Sequence, residues 1–324
     1  MNNTPNTNCL TLRLLHAAKG YKAVAFDIFD TLLKRDCAHP ADLFALMEVT
    51  HQAALGFAGA RAAAEAETRQ TLGREVTLAE IYAHPALRGT DPAAECAAEL
   101  AMIAPNRPVA QAAAACHARG QKVYAVSDMY LPKEQIEAML QKCGLDFLDG
   151  VFVSCEYGVQ KRSGKLFKLF LQQTALRPAE VLFVGDSPRA DFAGAALAGI
   201  RCFLLPQPTP LPYTKTPADA VGGAAIATLQ NCCQNLNPSA ALGAELLGPL
   251  AVGFATWLHG QRAAIPGAKL VFLARDMYLV RQVYQLLYPE EETFYLKVSR
   301  QSLLPALLQC PMNEQALALL ADTL

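Results

Sequence analysis

The sequence predicts an α/β protein: a doubly wound parallel sheet with a helical insert after its first strand, followed by a second, smaller α/β unit. Three observations carry this. Over residues 106–205, short apolar strands alternate with helical stretches, the pattern of a parallel sheet covered on both faces. The strands at 22–27, 122–127 and 181–185 run into Asp27, Ser127-Asp128 and Gly185-Asp186. Polar groups at the C-terminal ends of parallel strands stand where open α/β sheets bind ligands. Between the first two of these strands, residues 34–105 read as helices only.

Residues 1–10 are polar and expected to fray. A short helix at 12–18 leads into the first strand, and Asp27, Asp30 and Thr31 follow its apolar run. In the insert, Leu43, Leu46, Met47 and Ala54 share one helical face, with Pro40 near the helix start. The stretch "FAGARAAAEAETRQTL" is an alanine-rich helix. Thr77 and Glu80 stand in capping-box spacing, and Asp91 is an N-cap before Pro92 at the first helical position. Helices at 109–119, 132–143, 166–172 and 190–198 then feed strands at 122–127, 151–154, 181–185 and 201–204. Pro206, Pro208, Pro210, Pro212 and Pro217 mark residues 206–221 as a linker or extended wrap.

Residues 222–324 give a helical apolar stretch at 242–258, then strand, helix and strand. "SDMYL" at Asp128 and "RDMYL" at Asp276 share a strand-to-helix junction, which points to a second unit of similar plan. Arg275, Asp276 and Arg300 stand at strand ends, placed for a structural ion pair or an anion pocket. The pattern is still apolar and helical at Leu324 without a C-cap signal, so this unit is expected to be incomplete.

Composition narrows the classes. With 324 residues, 52% hydrophobic and 18% charged, the chain can bury a sizeable core and is not globally disordered. A formal net charge of −1 gives no electrostatic support to nucleic-acid binding. The ten cysteines form no C-x-x-C pair. They read as reduced thiols of a cytoplasmic protein and argue against a zinc site. "MNNTPNTNCL" lacks the charged and apolar regions of a secretory signal. The longest charge-free apolar run, residues 246–258, is shorter than the ~20 residues that cross a bilayer. It reads as a buried helix, and no membrane span is expected.

Four stretches, in this order, carry a family resemblance. "KAVAFDIFDTLL" holds Asp27 and Thr31, "KVYAVSDMYL" holds Ser127, "GVQKRSGKLF" holds Lys161, and "VLFVGDSPRAD" holds Asp186 and Asp191. Together they resemble the four motifs of the haloacid dehalogenase (HAD) superfamily, over residues 20–205. The resemblance implies a HAD-like Rossmannoid core of residues 1–33 and 106–205, with residues 34–105 as a helical cap. Residues 206–221 would then link this core to a C-terminal α/β unit, 222–324. "FDIFDTLL" is also similar to a subgroup of HAD hydrolases that accompany glycosyltransferases in bacterial surface-polysaccharide systems, which implies such a pathway partner by association.

The chemistry implied by the resemblance is phosphoryl transfer on a small phosphorylated molecule, a sugar phosphate or nucleotide. Asp27 would attack phosphorus and become an aspartyl-phosphate. Mg²⁺ would be held by Asp27, Asp186 and the backbone carbonyl of Phe29, with Asp191 orienting the set or joining it. Ser127 would hold phosphate oxygens, and Lys161 would balance the negative charge. Thr31, Asp128 and Arg35 fall on the substrate side, Arg35 because it lies where the cap begins. His39 reads as a helix-start residue, and Arg189 is a lesser candidate.

One position departs from the family pattern. HAD phosphatases carry a second aspartate two residues after the nucleophile, as general acid and base; here that position is Phe29. Such help is worth about 10²–10⁴-fold, so slow turnover is expected. Asp30 is one residue further on, and alternation points it away from the site. An aromatic residue also stands here in 2-haloacid dehalogenases, which use an aspartate nucleophile without metal. Both acids of "GDSPRAD" nevertheless favour a cation. Metal-dependent phosphoryl transfer therefore ranks first. A non-catalytic HAD-like module serving a glycan pathway ranks second, and dehalogenation third.

Overall fold

The computed structural model describes residues 7–206 and 217–298. The chain opens with α1 (Thr7–Ala17), β1 (Ala23–Phe26) and β2 (Leu33–Arg35). The helices α2 (Asp42–Val49), α3 (Phe57–Leu72), α4 (Leu78–Tyr82) and α5 (Pro92–Ala101) follow, and β3 (Ile103–Pro105) closes the insert. Next come α6 (Arg107–Ala118), β4 (Lys122–Ser127), α7 (Lys133–Lys142), β5 (Gly150–Val153) and the single turn α8 (Ser154–Tyr157). The core ends with α9 (Lys165–Thr174), β6 (Val181–Gly185), α10 (Gly194–Leu197) and β7 (Arg201–Leu204). Helix α1 starts within the stretch expected to fray.

The five core strands form one parallel sheet in the order β5-β4-β1-β6-β7. Alternation explains the two layers. Val24, Phe26, Leu182 and Val184 face one core, with Val109 and Ala113 of α6 and Ile136 of α7. Ala23, Ala25, Val181 and Phe183 face the other, with Leu166, Phe167 and Phe170 of α9. Both faces are thus covered, as a parallel sheet requires. From β1 the chain goes first to β4 and β5 on one side, then crosses to β6 and β7 on the other. The switch in direction opens a crevice at the C-terminal end of β1, where Asp27 stands.

The insert is not helical throughout. Its two ends, β2 and β3, pair antiparallel, with Leu33 opposite Pro105 and Arg35 opposite Ile103. Three-residue strands carry too short a pattern to be read from sequence. The predicted caps hold: Thr77 and Glu80 form the reciprocal capping box, and Asp91 accepts from Ala93 N. At the centre of the insert lies Arg61, fully buried. Its Nε and Nη2 donate to Glu95 at 2.7 and 2.8 Å, and Nη1 donates to Glu65 at 3.0 Å. Its guanidinium lies over the rings of Phe44 and of Tyr130, at 4.8 and 4.7 Å. Tyr130 comes from the loop after β4, and its carbonyl accepts from Leu78 N at 2.8 Å. Gln160, on the loop before Lys161, donates to Glu75 at 2.6 Å. The insert therefore rests on loops at the C-terminal ends of the strands.

The helix expected at 190–198 is a wide π-helical turn, Pro188–Ala193, running into α10. This turn carries Asp191 inward, where it is fully buried. Wide turns of this kind recur where a side chain must be re-aimed at a site.

Beyond the core, α11 (Pro217–Cys233) packs on α2 and β2. Pro217 opens this helix, at a position where its missing N–H costs nothing. Residues 207–216, most of the proline-rich stretch, lie outside the described residues. So do Ser299, Arg300 and the apolar pattern ending at Leu324. The chain divides into two compact units, Met1–Ala241 and Leu242–Leu324.

The second unit follows α12 (Pro238–Leu242) with a π-helical stretch, Gly243–Leu247, and α13 (Gly248–Ala263). It then pairs β8 (Leu270–Leu273) in parallel with β9 (Thr293–Leu296) around α14 (Tyr278–Leu287). Its core is Ala255, Phe272 and Tyr284 with half-buried neighbours. The expectation of a buried helix at 246–258 fails here. Ala251 and Ala255 are buried, but Leu246, Leu250, Phe254 and Trp257 are exposed. The helix is also longer than the apolar run suggested. Pro238–Ala263 is continuous over 26 residues, long and apolar enough by length and composition to cross a membrane. Arg275 and Asp276 are exposed beside β8.

Candidate active site

Asp27 leaves β1 with its N–H donating to Val184 O of β6 at 2.8 Å, so two strands fix its position. Asp186 and Asp191 come from the segment after β6. A carboxylate oxygen from each of Asp27, Asp186 and Asp191 lies within 4.8 Å of the others. Lys161 joins them: its Nζ is 2.6 Å from Asp27 Oδ1 and 2.6 Å from Asp191 Oδ1. Both contacts are charge-assisted and within hydrogen-bond distance. The other oxygen of Asp191 accepts from the N–H groups of Asp186 and Ser187, at 3.0 and 2.9 Å. Two glycines make room. A Cβ on Gly185 would strike the Asp191 carboxyl, and one on Gly194 would strike the Lys161 carbonyl.

The loop of Lys161 is held from below. Its backbone N–H donates to both oxygens of Asp128, at 2.8 and 3.1 Å. Asp128 thus anchors the lysine loop from the end of β4, where Ser127 is buried beside it. Thr31 is buried and donates from Oγ1 to Asp186 Oδ1 at 3.4 Å. Its carbonyl accepts from Asn106 Nδ2 at 2.7 Å, which ties the segment after β1 to the end of the insert.

Electrostatics follow from crowding and burial. Burial pushes the Asp27 carboxyl up to about 7; Lys161 opposes this, and Asp191 and Asp186 add to it. Burial works against the Lys161 ammonium, but Asp27, Asp191 and Asp128 outweigh it and hold the group above its usual range. Burial also raises the Asp128 carboxyl, against Lys161. One buried cation serving several carboxylates leaves the cluster short of positive charge. A hard divalent cation such as Mg²⁺ suits this donor set, which is all oxygen and holds three carboxylates close together. Asp27, Asp186 and Asp191 would hold it.

Two expected residues behave differently from one another. Asp30 turns away, as alternation implies: it is exposed, adopts φ 59°, and lies 3.9 Å from Lys34. Arg35, expected on the substrate side, has a side chain only 10% exposed. Its Nε donates to Glu99 Oε2 at 3.2 Å, and its guanidinium lies 3.9 Å from the centre of the Phe29 ring. Glu99 is itself buried, and burial raises its carboxyl against the pull of Arg35. The position two residues after Asp27 is thus filled by an aromatic ring under a guanidinium. Sequence reasoning missed Glu99, Glu95 and Arg61. The available signal was two glutamates four apart on one face of a predicted helix, a spacing that asks for a partner.

Comparison with known proteins identifies the family. The haloacid dehalogenase-like hydrolase family matches residues 21–199, more than half of the chain. The chain belongs to this family. Among curated HAD-like relatives, "haloacid dehalogenase-like hydrolase domain-containing protein 3" of Bos taurus is 32% identical over 97 residues, 30% of this chain and 38% of the relative. A phosphoserine phosphatase of Thermus thermophilus is 41% identical over 51 residues, 16% of this chain and 20% of the relative. The chain thus spans well under half the length of either. Among solved structures, a HAD phosphatase from Thermococcus onnurineus superposes with TM-score 0.44 at 20% identity, covering 60% of this chain and 90% of that one.

Proposed function

We propose that this HAD-like protein is a Mg²⁺-dependent phosphatase of a small phosphorylated molecule, working in the cytoplasm through an aspartyl-phosphate on Asp27. The observation that carries the reading is the trio of Asp27, Asp186 and Asp191 around a buried Lys161. The bound cation would supply charge neutralisation at the phosphoryl oxygens. Asp27 would attack phosphorus with a carboxylate oxygen while the ester P–O bond breaks, and water would then release phosphate from Asp27. Lys161 fixes the nucleophile and offsets its charge. Thr31 and Ser127 would meet phosphate oxygens. The phosphatase among the curated relatives supports a phosphorylated substrate.

Phe29 sets the limit on rate. No carboxyl stands two residues after Asp27, and Asp30 is turned to solvent beside Lys34. Leaving groups that need a proton should therefore depart slowly. The same observation supports a second reading, a non-catalytic HAD-like module; a place for it beside glycosyltransferases rests on the resemblance of "FDIFDTLL" alone. Calorimetric titration with Mg²⁺ is the first test. The proposal expects binding that Asp186→Ala abolishes; equal heats from wild type and variant would reject the metal site and the phosphatase reading with it.

A further inference from the structure

The two short strands β2 and β3 are the only covalent links between core and cap insert, so any rocking of the cap must pass through them. Two side chains at the end of α11 hold both strands. Asn231 Nδ2 donates to Arg35 O at 3.1 Å and to Asp36 Oδ1 at 2.7 Å, on the β2 side. Gln234 Nε2 donates to Pro105 O at 3.2 Å, and its Oε1 accepts from Arg107 N at 2.8 Å, on the β3 side. The two residues are three apart, which puts them on one face of the helix end. Arg107 is the first residue of α6, so Gln234 also satisfies an N–H that the helix itself leaves unpaired.

We propose that the end of α11 is a strap that sets the resting position of the cap, with Asn231 and Gln234 as positioning residues. Asn231 holds the backbone of Arg35, and the Arg35 side chain lies against Phe29, two residues from Asp27. A change at the strap therefore reaches the edge of the site through one residue. The strap also lies directly before the second unit. Residues 235–241 join Gln234 to Leu242, where that unit begins.

Hydrogen exchange on the full chain tests this without any assay of turnover. Asp36 N donates to Met102 O at 2.8 Å and Asn106 N to Leu32 O at 2.9 Å, so these amides report on the two ends of the hinge. Asn231→Leu removes both of the Asn231 donations while keeping side-chain bulk. It should speed exchange at Asp36 and Asn106 on the order of tenfold and leave Asp27 N, in the sheet, unchanged. Gln234→Ala should do the same on the β3 side, and it decides the matter if Asn231→Leu fails to fold. Faster exchange confined to α11, with the hinge unchanged, would overturn the proposal and leave α11 as packing. The kinetic arm rests on the phosphatase reading. Loosening the strap should raise KM several-fold while kcat holds, because the closed cap is less populated. If neither wild type nor variants turn over a phosphate ester, the phosphatase reading fails and the exchange result still decides the strap.

Discussion

Removing the charge of Lys161 should be costly without metal, and less so with it. Lys161 is 3% exposed and lies 2.6 Å from both Asp27 and Asp191. At an effective dielectric near 20, each such contact is worth about 6 kcal/mol before desolvation is subtracted. Desolvation of the ammonium offsets most of that, and removing one partner of a buried pair typically costs ~3–5 kcal/mol net. For a chain of this size each kcal/mol moves Tm by about 2–4 °C, so Lys161→Met should lower Tm in EDTA by roughly 6–20 °C. Methionine keeps most of the volume, so the loss reports charge rather than a cavity. Mg²⁺ restores positive charge to the same carboxylates and should raise the Tm of the variant by more than that of wild type. Thermal unfolding followed by near-ultraviolet circular dichroism, with EDTA and with Mg²⁺, measures both. An EDTA Tm within about 2 °C of wild type would refute the reasoning, because the carboxylates would then not depend on the buried ammonium.

Other consequences can be checked with similar means. The Asp27 carboxyl is raised from 3.8 to about 7 by burial, so the metal-free fold holds that proton more tightly than the unfolded chain does. Its contribution to stability is full below the unfolded value and is lost as pH rises through about 7. Mg²⁺ must displace the proton, so affinity should climb from about pH 6 to 8, with proton release seen by calorimetry in buffers of different ionisation enthalpy. A pH-independent affinity would contradict this. Phe29→Asp, once shown to fold, should raise turnover of alkyl phosphates more than of aryl phosphates, since only poor leaving groups need a proton. Arg35 lies 3.9 Å from the ring it would lose and can pair with the new carboxylate. Arg61→Met should cost ~3–5 kcal/mol in urea unfolding, because Glu95 would stay buried without its cation; a cost under about 1 kcal/mol would show that the pair is dispensable.

What the sequence made legible follows from what repeats along the chain. β1 and β6 are buried on both faces, so they stand out as apolar runs, and their ends announce Asp27 and Asp186. Capping residues act within three positions, and Thr77 with Glu80 was readable for that reason. Long-range pairing was not. Arg61 meets Glu95 and Arg35 meets Glu99 only because helices and hinge fold back on one another, and no local spacing encodes that. β2 and β3 are too short for alternation to show, and no local spacing marks Asn231 and Gln234 as their partners. Trp257 and Leu250 misled in the opposite sense. Their apolar run suggested burial, but the described part of the second unit leaves that face uncovered.

The central claim is that Asp27 is a phosphoryl nucleophile in a cation-dependent site. The most direct measurement is phosphate release over a panel of small phosphate esters, aryl and alkyl, for wild type and Asp27→Asn, each with Mg²⁺ and with EDTA. Chloride release from 2-chloropropionate in parallel controls for carbon–halogen chemistry. The account predicts slow release that is faster on aryl esters, needs Mg²⁺ and vanishes in Asp27→Asn. Release that survives in Asp27→Asn or in EDTA, or chloride release without metal in place of phosphate release, would contradict it.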